Sequence, residues 1–149
     1  MKRILDEIKY FIQRGRRGWS DRDIWDFESY LHKILAGGLT YLAKSENGHP
    51  CRLIILEGQE EWTPDNCSNC HCAENWDKEL RDNAEKFRKL CAENEGEFFK
   101  EADEIYFNGI TDNNQDEWGR LVKKGFEEKN KICKEAWEWL KENHWLLWD

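Results

Sequence analysis

Ile4, Leu5, Ile8, Phe11 and Ile12 recur at spacings of three and four, with Lys2, Asp6, Glu7, Lys9 and Gln13 between them. That 3.6-residue period predicts a first helix ending near Arg14. Ile24, Phe27, Leu31, Ile34, Leu35, Gly38 and Leu42 carry the same period to about Lys44, which predicts a long second helix at the centre of the core. Gly37-Gly38 lies inside it, and each glycine costs roughly 1 kcal/mol relative to alanine in a helix interior. A close helix crossing would offset that cost, and a kink is the alternative. Asn47-Gly48 and Pro50 stop the helix. Leu53-Ile54-Ile55-Leu56 is too short for a helix and reads as a short strand or extended segment, followed by a loop over 59–73. Trp76, Leu80, Ala84, Phe87, Leu90 and Cys91 mark another helix face that ends at Asn94-Glu95-Gly96, and 98–107 predicts a short helix before Asn108-Gly109. Asp112-Asn113-Asn114 is a turn and cap region, and from Asp116 a broad stripe through Trp118, Leu121, Val122, Gly125, Ile132, Ala136, Trp139, Leu140 and Leu147 predicts a long closing helix. The fold class is therefore mainly α: one compact helical domain over 1–149 with four to five helices, a cysteine-containing loop insertion over 51–73 and room for one short strand.

Between the first two helices stands Arg14-Gly15-Arg16-Arg17-Gly18-Trp19-Ser20-Asp21-Arg22-Asp23-Ile24-Trp25-Asp26. Ser20 is a good N-cap, Asp23 three residues later is a short capping-box partner, and Trp19 can staple onto Ile24. The second helix is thus expected to start at Ser20 and to pack between the first and last helices. Backbone N–H groups at a helix start lack internal partners and favour anions, and guanidinium forks bind two phosphate oxygens together. Arg14, Arg16, Arg17 and Arg22 are accordingly candidate phosphate ligands beside the Ser20 helix start, with Trp19, Trp25 and Tyr30 as stacking platforms for a base or sugar. The competing reading pairs these arginines with Asp21, Asp23 and Asp26 and leaves the aromatics in the core. The lysine-hydroxyl pair of a P-loop is missing.

Length permits a real core without disulfides, since the chain has 149 residues. Acidic residues outnumber basic ones 31 to 23, for a net charge of −8, which disfavours general nucleic-acid coating or anionic-membrane binding while leaving local basic patches open. Nine tryptophans can supply core area that the aliphatic content leaves thin. No run approaches the roughly 18 to 20 apolar residues of a membrane span, and acids interrupt Met1 to Glu7 where a signal peptide would be apolar, so an intracellular protein is expected.

In a reducing compartment the six cysteines are expected as thiols or metal ligands. Cys67-x-x-Cys70 lets two thiolates converge on one tetrahedral ion, and Cys72 with Cys51 can complete a zinc site, with His49 or His71 as alternative ligands. Such a clip would stabilise the insertion. Unligated thiols or an air-formed disulfide are the alternatives. Cys91 and Cys133 fall at helix-core spacing and read as buried hydrophobes. Asp21, Asp23 and Asp26 invite a magnesium site, but helix electrostatics already accounts for them. No Ser-His-Asp or His-Glu-x-x-His arrangement is present, so catalysis is not expected. Trp137-Glu138-Trp139 and Trp145-Leu146-Leu147-Trp148 offer either core packing against the first helix or a contact surface, including one for a homo-oligomer.

The segment Gln13 to Phe27, followed by Tyr30-Leu31, Ala36-Gly37-Gly38-Leu39 and Asn47-Gly48-His49-Pro50, resembles a group of small proteins encoded by tailed bacteriophages. The resemblance covers the first third, resumes at Asn75-Trp76-Asp77-Lys78-Glu79-Leu80 and at Trp145 to Asp149, and is broken by Cys51 to Cys72. It implies a viral protein in the host bacterial cytoplasm, in an accessory role against host defence, and it carries no catalytic residues across. Two functions are expected from these features together. One is sequestration of a phosphorylated small molecule, such as a nucleotide-derived immune signal, at the arginine turn. The other is non-enzymatic inhibition of a host defence protein through an acidic, tryptophan-bearing face, with a virion or assembly component as a third role.

Overall fold

The computed structural model describes residues 2–45 and 72–148. Within them the secondary structure is entirely helical: α1 (Lys2–Arg17), α2 (Phe27–Leu42), α3 (Cys72–Lys89), α4 (Lys100–Asn108) and α5 (Gln115–Asn143). Short 3-10 turns cover Asp23–Asp26, Glu95–Phe99 and His144–Trp148. The expected strand at Leu53 to Leu56 lies outside the described residues.

The core is a helix pair, α2 on α3, closed by the C-terminal half of α5. α2 and its C-cap bury Ala36, Leu39 and Ala43, with Leu35 and Leu42 half-buried beside them, and α3 with its following turn contributes large residues (Trp76, Leu80, Phe87, Leu90) around Ala84. Small side chains on one helix let the bulky ones of the other fill the space between them. Ala136 is the fully buried point of α5, with Ile132, Cys133, Trp139 and Leu140 half-buried around it, and Leu146 closes the end. Trp139 stacks at 6.0 Å from Trp76 and donates its indole N–H to Glu79 Oε2 at 3.0 Å, so a core tryptophan keeps its polar edge satisfied. His32 is buried between Phe87 and Trp137, with Nδ1 donating to the Leu90 carbonyl at 3.3 Å. The C-terminal apolar side chains therefore divide: Trp139 and Leu146 serve the core, whereas Trp145 is exposed.

A second packing centre sits on the N-terminal half of α5, where the Glu95–Phe99 turn and α4 cross it. Phe99 and Phe126 meet edge to face at 4.9 Å, and Ala102 is buried. Gly125 makes the crossing possible, because a Cβ there would stand 2.5 Å from the Phe98 carbonyl oxygen and 2.7 Å from the Phe99 ring.

Several boundaries differ from the sequence expectation. α1 continues through Gly15 to Arg17 and ends where Gly18, at φ +83°, turns its N–H back to the Arg14 carbonyl at 3.0 Å. α2 starts at Phe27, not Ser20, and its N-cap is Asp26, whose side chain accepts from the Ser29 N–H at 3.2 Å. The physical reason is that Ser20 and Asp23 bond to each other across a turn at 21–22, and the 3-10 segment Asp23–Asp26 then leads into α2. Trp19 and Ile24 are both exposed, and the neighbour of the Trp19 ring is the Arg17 guanidinium at 5.7 Å rather than a staple partner. α2 does not pack between the first and last helices: its main partner is α3, and none of α1 belongs to the core. Gly37-Gly38 does not break α2, and among the described residues nothing of another element stands within 4 Å of a Cβ at either position.

These two glycine environments make opposite predictions. Gly37→Ala and Gly38→Ala should each raise stability by about 0.5–1 kcal/mol, because the helix gains and nothing clashes. Gly125→Ala should lower it by about 1–3 kcal/mol, because the added methyl meets backbone. Chemical denaturation followed by circular dichroism at 222 nm reads both signs.

Candidate functional site

The arginine turn is built around one carboxylate. Asp23 is buried, with its side chain 5% exposed, and it accepts from Arg14 Nε at 2.8 Å and from Arg14 Nη2, from the Ser20 N–H at 2.7 Å and from Ser20 Oγ at 2.8 Å. A buried carboxylate costs several kcal/mol unless it is paired and hydrogen-bonded, and these donors meet that requirement. The Arg14 guanidinium, reinforced by Ser20, holds the Asp23 carboxyl well below the usual carboxylate range against the opposing effect of burial. The same pairing raises Arg14. Tyr30 completes the junction: its hydroxyl donates to the Gly18 carbonyl, and its ring lies 5.8 Å from the Arg14 guanidinium.

An outer ring of exposed pairs binds the polar side of α1 to the turn. Asp21 accepts from Gln13 Nε2 at 2.7 Å and pairs with Arg17 and, at 3.2 Å, with Lys9, which together pull its carboxyl well below the usual range. Gln13 Oε1 accepts the Asp21 N–H at 2.9 Å, Arg17 Nε donates to the Trp19 carbonyl at 3.0 Å, and Arg22 pairs with Glu7 at 2.9 Å. Each exposed pair contributes little alone. Together they fix which side of α1 faces the body.

A cleft of about 400 Å³ opens beside this junction, lined by Arg14, Arg22, Asp23, Asp26, Ser29, Tyr30, Lys33, Ala92 and Glu93. Its cations are matched: Arg14 with Asp23, Arg22 with Glu7 and Lys33 with Glu93, while Asp26 caps α2. A phosphate entering here competes with carboxylates already in place. Of the candidate ligands, Arg14 and Arg22 reach this cleft, and Ser20 is buried behind Asp23. Arg17 and Trp19 cover each other outside it. Arg16 has no ion pair among the described residues, and Trp25 stands 93% exposed, away from the cleft lining. The expected pairing of the arginines with Asp21 and Asp23 is present, whereas Asp26 serves the helix start.

The zinc candidates His49, Cys51, Cys67, Cys70 and His71 lie outside the described residues, and Cys72 is described only as the first backbone position of α3. Among the described residues no group of three or more His, Cys, Asp or Glu side chains is placed to hold a metal. Cys91 is buried and Cys133 half-buried against the core, both are free, and burial pushes both thiols up. That is the expected behaviour of structural cysteines.

Sequence reading missed two surfaces. α1 turns its apolar face, Ile4, Leu5, Ile8, Phe11 and Ile12, to solvent, with Phe11 77% exposed. The outer side of α2 exposes Phe27, Ile34 and Tyr41, each seven residues from the next, with Gly37 and Gly38 between the last two. The error lay in assigning the apolar stripe of α1, and Phe27 and Ile34 of the expected α2 stripe, to a core, while Tyr41 stood outside that stripe. No described helix is long and apolar enough to cross a membrane.

The Asp23 cluster predicts a pH dependence. Its carboxyl holds a proton less readily in the folded chain, so its stabilisation is complete above the unfolded value of about 3.9 and is lost as pH falls toward the lower folded value. Asp23→Asn should cost about 2 kcal/mol at neutral pH, below the range for wholly buried pairs because Arg14 is 43% exposed. It should also flatten the loss of stability between about pH 5 and pH 2 in urea titrations.

No protein-family model, no curated protein and no solved structure matches this chain.

Proposed function

We propose that the protein acts by binding another protein through the outer face of α2, without catalysing a reaction. The observation that carries this reading is the glycine pair. Gly37-Gly38 costs the isolated helix stability, meets no side chain or backbone of another element among the described residues, and lies between the exposed Ile34 and Tyr41. Paired small residues flanked by apolar ones form a shallow groove that lets a partner helix approach the backbone closely, as ridges-into-grooves packing requires. A close crossing that no described residue of the chain makes is thus available to a partner. The resemblance of 13–50 to tailed-phage proteins supports a bacterial host factor as that partner, with inhibition of a defence protein as the biological role.

Sequestration of a phosphorylated small molecule is the second reading, supported by the cleft beside Arg14 and Arg22 and by Arg16, which has no ion pair among the described residues. It requires a ligand able to displace Asp23 or Glu7 from their arginines.

The two separate cleanly in affinity capture from the bacterial host, paired with calorimetry against a nucleotide panel. The docking reading expects a partner retained by wild type and by the Arg16→Ala/Arg17→Ala double variant, but lost with Ile34→Glu and with Gly38→Arg while the thermal midpoint holds. Retention by Ile34→Glu contradicts it. Nucleotide-binding heat that vanishes in the arginine double variant establishes the second reading instead.

A further inference from the structure

We propose that α1 is an interfacial helix that seats the protein on a lipid bilayer bearing anionic headgroups. Glu7, Gln13 and Arg14 on the polar side of α1 are bonded to Arg22, Asp21 and Asp23, so the body of the protein sits behind that side. The opposite side carries Ile4, Leu5, Ile8, Phe11 and Ile12, all about half exposed or more. An apolar strip presented outward on a helix whose polar side is anchored has the geometry of helices that lie in the membrane interface.

Charge selects the occupant. The whole chain sums to −8, yet α1 holds six basic residues (Lys2, Arg3, Lys9, Arg14, Arg16, Arg17) against two acidic ones (Asp6, Glu7). Lys9 and Arg16, seven residues apart, run along one edge of the apolar strip by helical periodicity. Arg16 has no ion pair among the described residues, and the 3.2 Å contact of Lys9 with Asp21 is exposed, so it gives way readily to another anion. Basic side chains at the border of an apolar strip reach headgroup phosphates while the strip enters the acyl boundary. An antiparallel second copy fits this face less well, because it would bring the same basic edge against itself. The whole-chain acidity that argues against membrane binding is carried outside α1 in the sequence, since α1 itself has more basic than acidic residues.

Co-sedimentation of the full chain with extruded vesicles tests the proposal, using phosphatidylglycerol and phosphatidylcholine in equal parts beside phosphatidylcholine alone. Binding should occur on the mixed vesicles, fall at least about tenfold between 50 and 500 mM salt, and be weak on phosphatidylcholine. Ile8→Asp should abolish it, and Arg16→Glu should lower it at least about tenfold, with the circular dichroism melt of each variant unchanged because both side chains are exposed and lie outside the core. Phe11→Ala, a milder change, should weaken binding about tenfold and guards against a folding defect in the aspartate variant. Failure to bind the mixed vesicles overturns the proposal. So does equal binding by Ile8→Asp, which would place the contact elsewhere. A dimer in sedimentation equilibrium that Ile8→Asp dissociates, without vesicle binding, assigns the face to a second copy and also overturns it.

Discussion

The Asp23 carboxylate is buried and must be surrounded by donors, and it takes them from two directions: the guanidinium of Arg14 near the end of α1, and the backbone and hydroxyl of Ser20 in the turn. That requirement fixes the approach of α1 to the start of α2. It also spends the arginine best placed to grip a ligand, moves the helix start from Ser20 to Asp26, and leaves the surrounding pairs of Asp21 and Glu7 to hold the rest of the polar face. Once the polar side of α1 faces inward, its apolar side has nowhere to point but out. One buried charge therefore determines both what the turn cannot do freely and which surface the molecule presents.

The core can leave α1 outside because α3 and α5 bring enough large side chains of their own. Trp76, Phe87 and Trp139 cover the small residues of α2, and the indole of Trp139 keeps its hydrogen bond through Glu79. Aromatic side chains bury large areas each, so a short list of them closes a domain whose aliphatic content is modest. The same logic explains Gly125, where the absence of a side chain admits Phe99 to the α5 backbone.

Much of this fold was legible in the chain. The periods at Trp76 to Cys91 and from Asp116 onward located α3 and α5 and their buried faces, and Asn108-Gly109 marked the end of α4. What periodicity does not encode is the destination of a stripe. Ile4 to Ile12 and Phe27 to Tyr41 have helical spacing whether they face a core, a partner or solvent, and only tertiary placement decides. Capping was misread for a related reason: Ser20 and Asp23 satisfy the local pattern of a helix start, but Arg14, nine residues from Asp23, recruits the carboxylate for a different contact. In the candidate site, pairing of the arginines with neighbouring acids was readable from composition, whereas the cleft needed Lys33 and Glu93 to be brought beside the turn by the α2–α3 pairing.

The central claim is that α1 is clasped by its polar side and turns its apolar side to solvent. Hydroxyl-radical footprinting of the dilute isolated protein, read residue by residue by mass spectrometry, tests it most directly. The account predicts fast labelling of Phe11, 77% exposed, and protection of Phe87, 0% exposed. Phe11 protected to the level of Phe87 would mean that the face is packed within the chain, and would contradict it.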